Sequence, residues 1–397
     1  MDQIKETEEK VLKVFQAENP SNYGIDGSKE AFLNRHGMLF SLFQDKLNFP
    51  VKMFDGASLV DVGAGTGDNT IYYNNWGADC TLVEVNPVAC ERARFLYESY
   101  GNQDRSWTIE QSSLFDYQTD RRFDIVVSTG VIHHTATKDL AFDRLASLLR
   151  PGGFLYLAVS DPAGYFQRNL QRLVLWRFAK SVEDLEELAM RLFGESIERA
   201  AKFGNRSKRA VIYDVYVNPK IDSPTVAEVL GWFRRNRMKF YSTWPRISPL
   251  QMADSPMNSA MDAIMANPAV GIWPEILWCA HDLGDERQCK AYLDGAARIG
   301  RSFLPLTAMF NDMSEDKVVD LDQAQALAEQ FAQSSGGFDA FADQRAAIAQ
   351  FTVELIELFR LLRRGGVDEV AAFCGATERL FRGTNGTGMV YWLGYKE

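Results

Sequence analysis

The chain has 397 residues, 46% of them apolar and 24% charged, with a formal charge of −10. That length allows two domains or one domain with a large insertion, and the composition is ordinary for a globular protein. The negative balance argues against a broad nucleic-acid surface and leaves only a local basic groove open. Cys80, Cys90, Cys279, Cys289 and Cys374 are scattered, odd in number and without a C-x-x-C pair. They read as reduced thiols, not as a disulfide or zinc framework. The first residues hold no apolar signal core, and no apolar run approaches the roughly 18 residues of a membrane span, so a cytoplasmic location is expected.

Taken in order, residues 6–17 read as a helix and 19–24 as a turn-rich break. A second helix over 29–47 carries Phe32, Met38, Leu39, Leu42 and Phe43 on one face, with Arg35 and His36 also on it. Next comes Leu59-Val60-Asp61-Val62-Gly63-Ala64-Gly65-Thr66-Gly67. A short apolar run ending in glycines predicts a buried parallel strand that turns sharply into a helix capped by 68–70. The glycines let a ligand reach the backbone, although a tight turn without a ligand has the same look. Strand 80–84 ends in Glu84, placed as the ribose-binding acid of a nucleotide-binding βαβ unit. The spacing here is G-x-G-x-G, not the dinucleotide pattern G-x-G-x-x-G. Preceded by Val-Asp-Val, the stretch resembles the first motif of class I S-adenosylmethionine (SAM) dependent methyltransferases.

That resemblance implies SAM as cofactor, with contacts from Asp61, Gly63, Ala64, Gly65, Gly67, Asn69, Glu84, Val85, Ser113, Leu114 and Thr129. A helix just before the first strand often lies over the cofactor in such enzymes, so Arg35 is a candidate for the methionine carboxylate; the alternative is a solvated arginine. Many members carry an acid near Ser113 for the adenine amino group, and serine here weakens that contact or hands it to the backbone near Leu114. Strands are predicted at 107–110, 123–128 and 154–160, with Asn86-Pro87 starting one helix and 138–149 forming another. The fourth strand runs into Thr129-Gly130-Val131-Ile132-His133-His134, similar to the G-V-L-H-H sequences between cofactor and acceptor in the resembling enzymes. His133 and His134 stand at a strand tip as general base, acceptor-orienting donor or packed group. Ubiquinone-pathway O-methyltransferases have metal-binding carboxylates in a related segment; Gly130 and His133 occupy those places, so no metal is expected. Leu149-Arg150-Pro151-Gly152-Gly153 before the fifth strand is a further resemblance.

Beyond the fifth strand, 165–193 is predicted as one helix of a cap, which reads either as packing or as an acceptor lid. Lys202, Arg206, Lys208 and Arg209 form a basic patch, either a solvated face or an anion clamp. Tyr213-Asp214-Val215-Tyr216-Val217-Asn218-Pro219 offers Tyr213 and Asp214 as acceptor-site lining, against a structural turn. A sixth strand is expected at 238–244. Helices follow at 272–283, 286–303, 321–333, 338–364 and 367–381, then a glycine-rich stretch at 383–388 and a strand over 389–395.

The expected fold is therefore α/β: a doubly wound, mostly parallel seven-stranded methyltransferase sheet with a helical cap and a large all-α insertion before the last strand. The expected division is cofactor-covering helices at 1–57, a SAM-binding core at 58–245 with a lid at 161–221, an all-α extension at 246–383, and a strand at 384–397 that returns to the sheet beside the sixth. The expected activity is methyl transfer to O, N or C of a small-molecule acceptor, without nucleic-acid or membrane partners. A homodimer through the helical extension stays open. Two alternatives stand beside this reading: a protein-modifying methyltransferase that docks its partner through the extension, and a non-catalytic SAM-binding scaffold.

Overall fold

The computed structural model describes residues 2–247, 289–311, 313, 319–335, 342–381 and 388–397. Helices α1 (Asp2–Ala17) and α2 (Lys29–Ser41) precede the sheet. Strand β1 (Ser58–Val62) then leads to α3 (Thr70–Asn75), β2 (Asp79–Glu84), α4 (Pro87–Tyr100), β3 (Trp107–Gln111), β4 (Phe123–Thr129), α5 (Lys138–Leu148) and β5 (Leu149–Ser160). Asn86 caps α4 by accepting from the Val88 N–H at 3.0 Å, with Pro87 in the first turn. β1 pairs in parallel with both β2 and β4, and its Leu59, Val60 and Val62 are fully buried. A strand covered on both faces has no polar side to show, which is why it reads as a continuous apolar run.

After β5 come α6 (Phe166–Phe178), α7 (Val182–Gly204), α8 (Lys208–Ile212), a π-helical turn (Tyr213–Val217), α9 (Val226–Arg235) and β6 (Met238–Trp244). The later described helices are α10 (Cys289–Ala308), α11 (Leu321–Ser335), α12 (Ala342–Arg364) and α13 (Val367–Ala376), followed by β7 (Met389–Lys396). The sheet has seven strands in the order β3-β2-β1-β4-β5-β7-β6. β7 is antiparallel to both neighbours, pairing from Phe154↔Tyr395 to Ser160↔Met389 on β5 and from Met238↔Lys396 to Trp244↔Tyr391 on β6. The expected fold class is met, including the returning strand beside the sixth.

One sheet face packs Phe142, Trp232 and Phe233 of α5 and α9 with Trp392 of β7; the other buries Phe43, Phe54, Tyr72 and Tyr73. A third core lies away from the sheet. It joins Phe166, Leu170 and Leu185 to Phe303, Phe331, Phe351, Leu355 and Leu358, so the cap helices and the described helices of the insertion pack as one body. The buried Arg172 bridges them, donating to the carbonyls of Asn218 (2.7 Å) and Met313. The single helix expected over 165–193 is instead two. The chain breaks at 179–181, and the Ser181 side chain accepts from the Asp184 N–H (3.2 Å) to start α7, a cap that a periodicity count passes over. The helix expected at 272–283, the ends of two others at 286–288 and 338–341, and the glycine-rich residues 383–387 lie outside the described residues. Among the described residues no helix is long and apolar enough to cross a membrane.

Glu354 is a buried carboxylate of α12 that accepts from the N–H groups of Glu378 (2.8 Å), Arg379 (3.0 Å) and Leu380 (2.7 Å). Glu354→Ala leaves three donors without their acceptor. It is expected to lower the unfolding free energy by about 3 kcal/mol or more, read as an earlier urea midpoint by circular dichroism.

Candidate active site

The turn between β1 and α3 is built around two glycines in the left-handed region, Gly63 (φ +75°) and Gly65 (φ +56°). A Cβ on Gly63 would lie 2.3 Å from a Val131 methyl, and one on Gly65 would lie 2.2 Å from the Ser21 hydroxyl. The second contact comes from a strap formed by residues 19–24. Thr66 N–H donates to Ser21 Oγ (3.0 Å), Thr66 Oγ1 donates to the Ser21 carbonyl (2.8 Å), and Tyr23 N–H donates to Asp68 Oδ1 (2.8 Å). Asn205 at the end of α7 donates to the Tyr23 carbonyl (2.6 Å), which ties the strap to the helical body. The helix after the turn has only six residues, and Asn69 makes no capping bond. Its Oδ1 accepts from Arg35 instead (3.1 and 2.5 Å), while the Arg35 guanidinium stacks 3.8 Å over Tyr23.

The turn forms one wall of a cavity of about 750 Å³, within the ~300–1,000 Å³ usual for small-molecule sites. Gly63, Gly65, Asn69, Arg35, Glu84, Val85, Ser113, Leu114 and Thr129 all line it. Asp61, Ala64 and Gly67 do not. Asp61 lies buried behind the turn, accepting from the Thr70 hydroxyl, and burial pushes its pKa up to about 7. Gly67 packs against Leu82, Ala93 and Tyr97. Glu84 reaches the cavity from the tip of β2, accepting from the N–H groups of Gly65 (2.7 Å) and Asn86 (2.8 Å). Burial raises its pKa despite those bonds. The Thr129 hydroxyl is buried with no hydrogen-bond partner among the described residues. Ser113 donates to Glu8 of α1, so a carboxylate does stand at this end of the cavity, supplied by a residue that no sequence reading had pointed to.

His133 and His134 also line the cavity, on a turn of 3-10 helix after β4. Ser160 N–H donates to His133 Nδ1 (3.3 Å), so the neutral ring carries its proton on Nε2. His134 has the other tautomer. Its Nδ1 lies 2.6 Å from the Lys220 carbonyl, which can only accept, and 3.1 Å from the Asn218 amide nitrogen; the shorter contact puts the proton on Nδ1 and leaves Nε2 its lone pair. Burial lowers both histidine pKa values, His133 the further, while the charge of Asp214 works in the opposite direction on His134. Asp214 lines the cavity and pairs with Arg206 at 3.0 Å. Tyr213 does not. Its phenol accepts from Arg209 (2.8 Å), which also pairs with Glu186 (3.3 Å), so the side chain points away from the cavity. Within the basic patch, Lys208 pairs with the exposed Glu198 (2.5 Å) and Arg209 with Glu186, while Arg206 turns inward. Sequence reasoning also missed Ser21, Tyr23, Tyr165 and Arg168. Only the turn-rich composition of 19–24 marked the strap at all.

A parallel sheet with a glycine turn after β1, an acid at the tip of β2 and polar groups at the tip of β4 defines a class I methyltransferase core. The comparisons agree: residues 35–193 match the family model described as a methyltransferase domain. Residues 35–193 are therefore a methyltransferase domain of the class I, SAM-dependent kind, whose cofactor is S-adenosylmethionine. An uncharacterised protein of Synechococcus sp. is 34% identical over 120 residues, covering 29% of this chain and 28% of that one. A demethylmenaquinone methyltransferase of Tropheryma whipplei is 29% identical over 147 residues, covering 36% of this chain and 59% of that one. The matches therefore span about a quarter to six tenths of these relatives. A crystal structure of magnesium protoporphyrin IX methyltransferase from Synechocystis PCC 6803 with bound SAH aligns at a TM-score of 0.30 and 15% identity, over 48% of this chain and 67% of that one.

Proposed function

We propose that this protein transfers the methyl group of SAM to a nucleophilic atom of a small-molecule acceptor. The observation that carries the reading is that one cavity is lined by the glycine turn and Glu84 together with His133, His134 and Asp214. The residues suit the cofactor: Gly63 and Gly65 line the cavity, Glu84 has acceptor capacity left beside its two amides, and the buried Thr129 hydroxyl lacks a partner among the described residues. Gly63, Gly65, Glu84, Val85, Ser113, Leu114 and Thr129 would hold it, with Arg35 above the turn. When bound, it supplies an already activated methyl group. Alignment is then the protein's main task, and well-oriented reactions gain about 7–11 kcal/mol. The strap and α1 close the cavity over one side and the cap helices over another, which favours a small acceptor. A relative that acts on demethylmenaquinone is in keeping with this. In this reading the 161–221 cap and the described helices at 289–308, 321–335, 342–364 and 367–376 act together as a single helical body beside the 58–245 core.

In this reading His134, which lines the cavity, takes a proton from the acceptor through Nε2. Once an acceptor is in hand, His134→Gln is expected to lower turnover by about 10²–10⁴-fold, the usual worth of a general base, with affinity for S-adenosylhomocysteine unchanged. Because burial holds the His134 pKa below the ordinary 6.5, the ring stays neutral at that pH. Wild-type turnover should hold steady as the pH falls through 6.5 and decline only further down. Unchanged turnover in the variant would return His134 to a packing role.

A further inference from the structure

We propose that the methyl acceptor is a carboxylate with a flat, apolar body, and that Arg168 of α6 holds its carboxylate. The inference rests on the reading that SAM occupies the part of this cavity beside the glycine turn. Arg168 lines the cavity half-buried, its guanidinium 5.2 Å from the centre of the Tyr165 ring. Among the described residues it forms no ion pair and no hydrogen bond, whereas Arg35 is engaged by Asn69 and Tyr23, and Arg206 by Asp214 and the Pro20 carbonyl. A guanidinium cannot shed its proton to escape partial burial, so its donors call for an anion. The guanidinium sits against the chain entering β7, where a Cβ on Gly388 would lie 2.8 Å from Arg168 Nη1.

Asp214 is balanced by Arg206, and the two histidines are neutral, so Arg168 and the exposed Lys46, whose ammonium lies 4.9 Å from the centre of the Trp244 ring, are the cavity-lining cations on this side without a carboxylate partner among the described residues. A carboxylate matches the guanidinium fork through two parallel N–H···O bonds. The Arg206 Nε is buried without a partner and offers a further donor nearby. Tyr165, Phe203, Trp244, Met389 and Tyr391 supply aromatic and apolar wall, and Phe203 is 78% exposed at the rim.

The test is calorimetry on the full chain saturated with S-adenosylhomocysteine, titrated with 4-hydroxybenzoate, 4-hydroxyphenylacetate and 4-hydroxycinnamate and with the primary amide of each. At least one acid is expected to bind about tenfold or more tighter than its amide, the margin of a lost charge-assisted bond. Arg168→Gln should erase that margin and Arg168→Lys should keep part of it, both binding S-adenosylhomocysteine as the wild type does. Equal binding of acid and amide, a margin that survives Arg168→Gln, or no binding by any acid to the saturated protein would overturn the proposal. Failure of the wild type to bind S-adenosylhomocysteine would overturn the cofactor reading first, and this inference with it.

Discussion

Glu84→Ala is expected to raise the dissociation constant for S-adenosylhomocysteine at least about 100-fold, a loss near 3 kcal/mol from two charge-assisted bonds and the order they maintain. The carboxylate has two tasks. It offers acceptors to the ribose hydroxyls, and it fixes the glycine turn by accepting from the Gly65 N–H at 2.7 Å and the Asn86 N–H at 2.8 Å. Truncation removes both, so the effect should exceed that of a contact made to the ligand alone. Glu84→Gln keeps one carbonyl acceptor but turns an amide N–H₂ toward a backbone donor, and should fall between the two. Burial raises the Glu84 pKa above its ordinary 4.5. The protonated acid is a poorer acceptor, so wild-type affinity should weaken on acidification from a pH above 4.5, and the alanine variant should lack that dependence. Calorimetry across pH reads both effects. Wild-type affinity in Glu84→Ala would place the cofactor elsewhere.

What could be read from the sequence was what is local in it. Parallel strands buried on both faces are unbroken apolar runs, so β1, β2, β4 and β5 announce themselves, and the turn after β1 carries its three glycines within five residues. Glu84 is legible because it closes a strand. Glu8, Ser21 and Arg168 are not, because each reaches the cavity across a fold-dependent distance that no spacing records: Glu8 meets Ser113, 105 residues away. The pair Tyr213 and Asp214 shows a different limit. Adjacent residues on a helical turn point about 100° apart, so one face of the turn can present only one of them to a cavity. Asp214 has that place, and Tyr213 is turned to Arg209. The break between α6 and α7 was missed because both helices keep apolar periodicity, and only the Ser181 cap separates them.

Removal of residues 388–397 is expected to abolish cooperative folding of the methyltransferase core. β7 is an interior strand, joined to β5 through seven residue pairs and to β6 through six. Without it, β5 exposes an unpaired ladder and β6 has nothing to join. Val390, Trp392 and Leu393 are buried, and the Trp392 ring packs 6.1 Å from Phe233 and 6.3 Å from Phe240. Losing one such tryptophan costs about 3–5 kcal/mol, and domains of this kind are stable by only about 5–15 kcal/mol. Three buried side chains and two ladders together exceed that margin. The long excursion before β7 is no obstacle to its pairing, because loop-closure entropy grows only logarithmically with length and the described intervening helices pack into one core with the cap. Trp392→Ala should accordingly melt earlier yet still bind S-adenosylhomocysteine, while the truncated chain should show neither a cooperative melt nor binding. A truncated chain that melted at the wild-type temperature would mean that the sheet closes without its last strand. The pairing on both edges of β7 argues against that outcome.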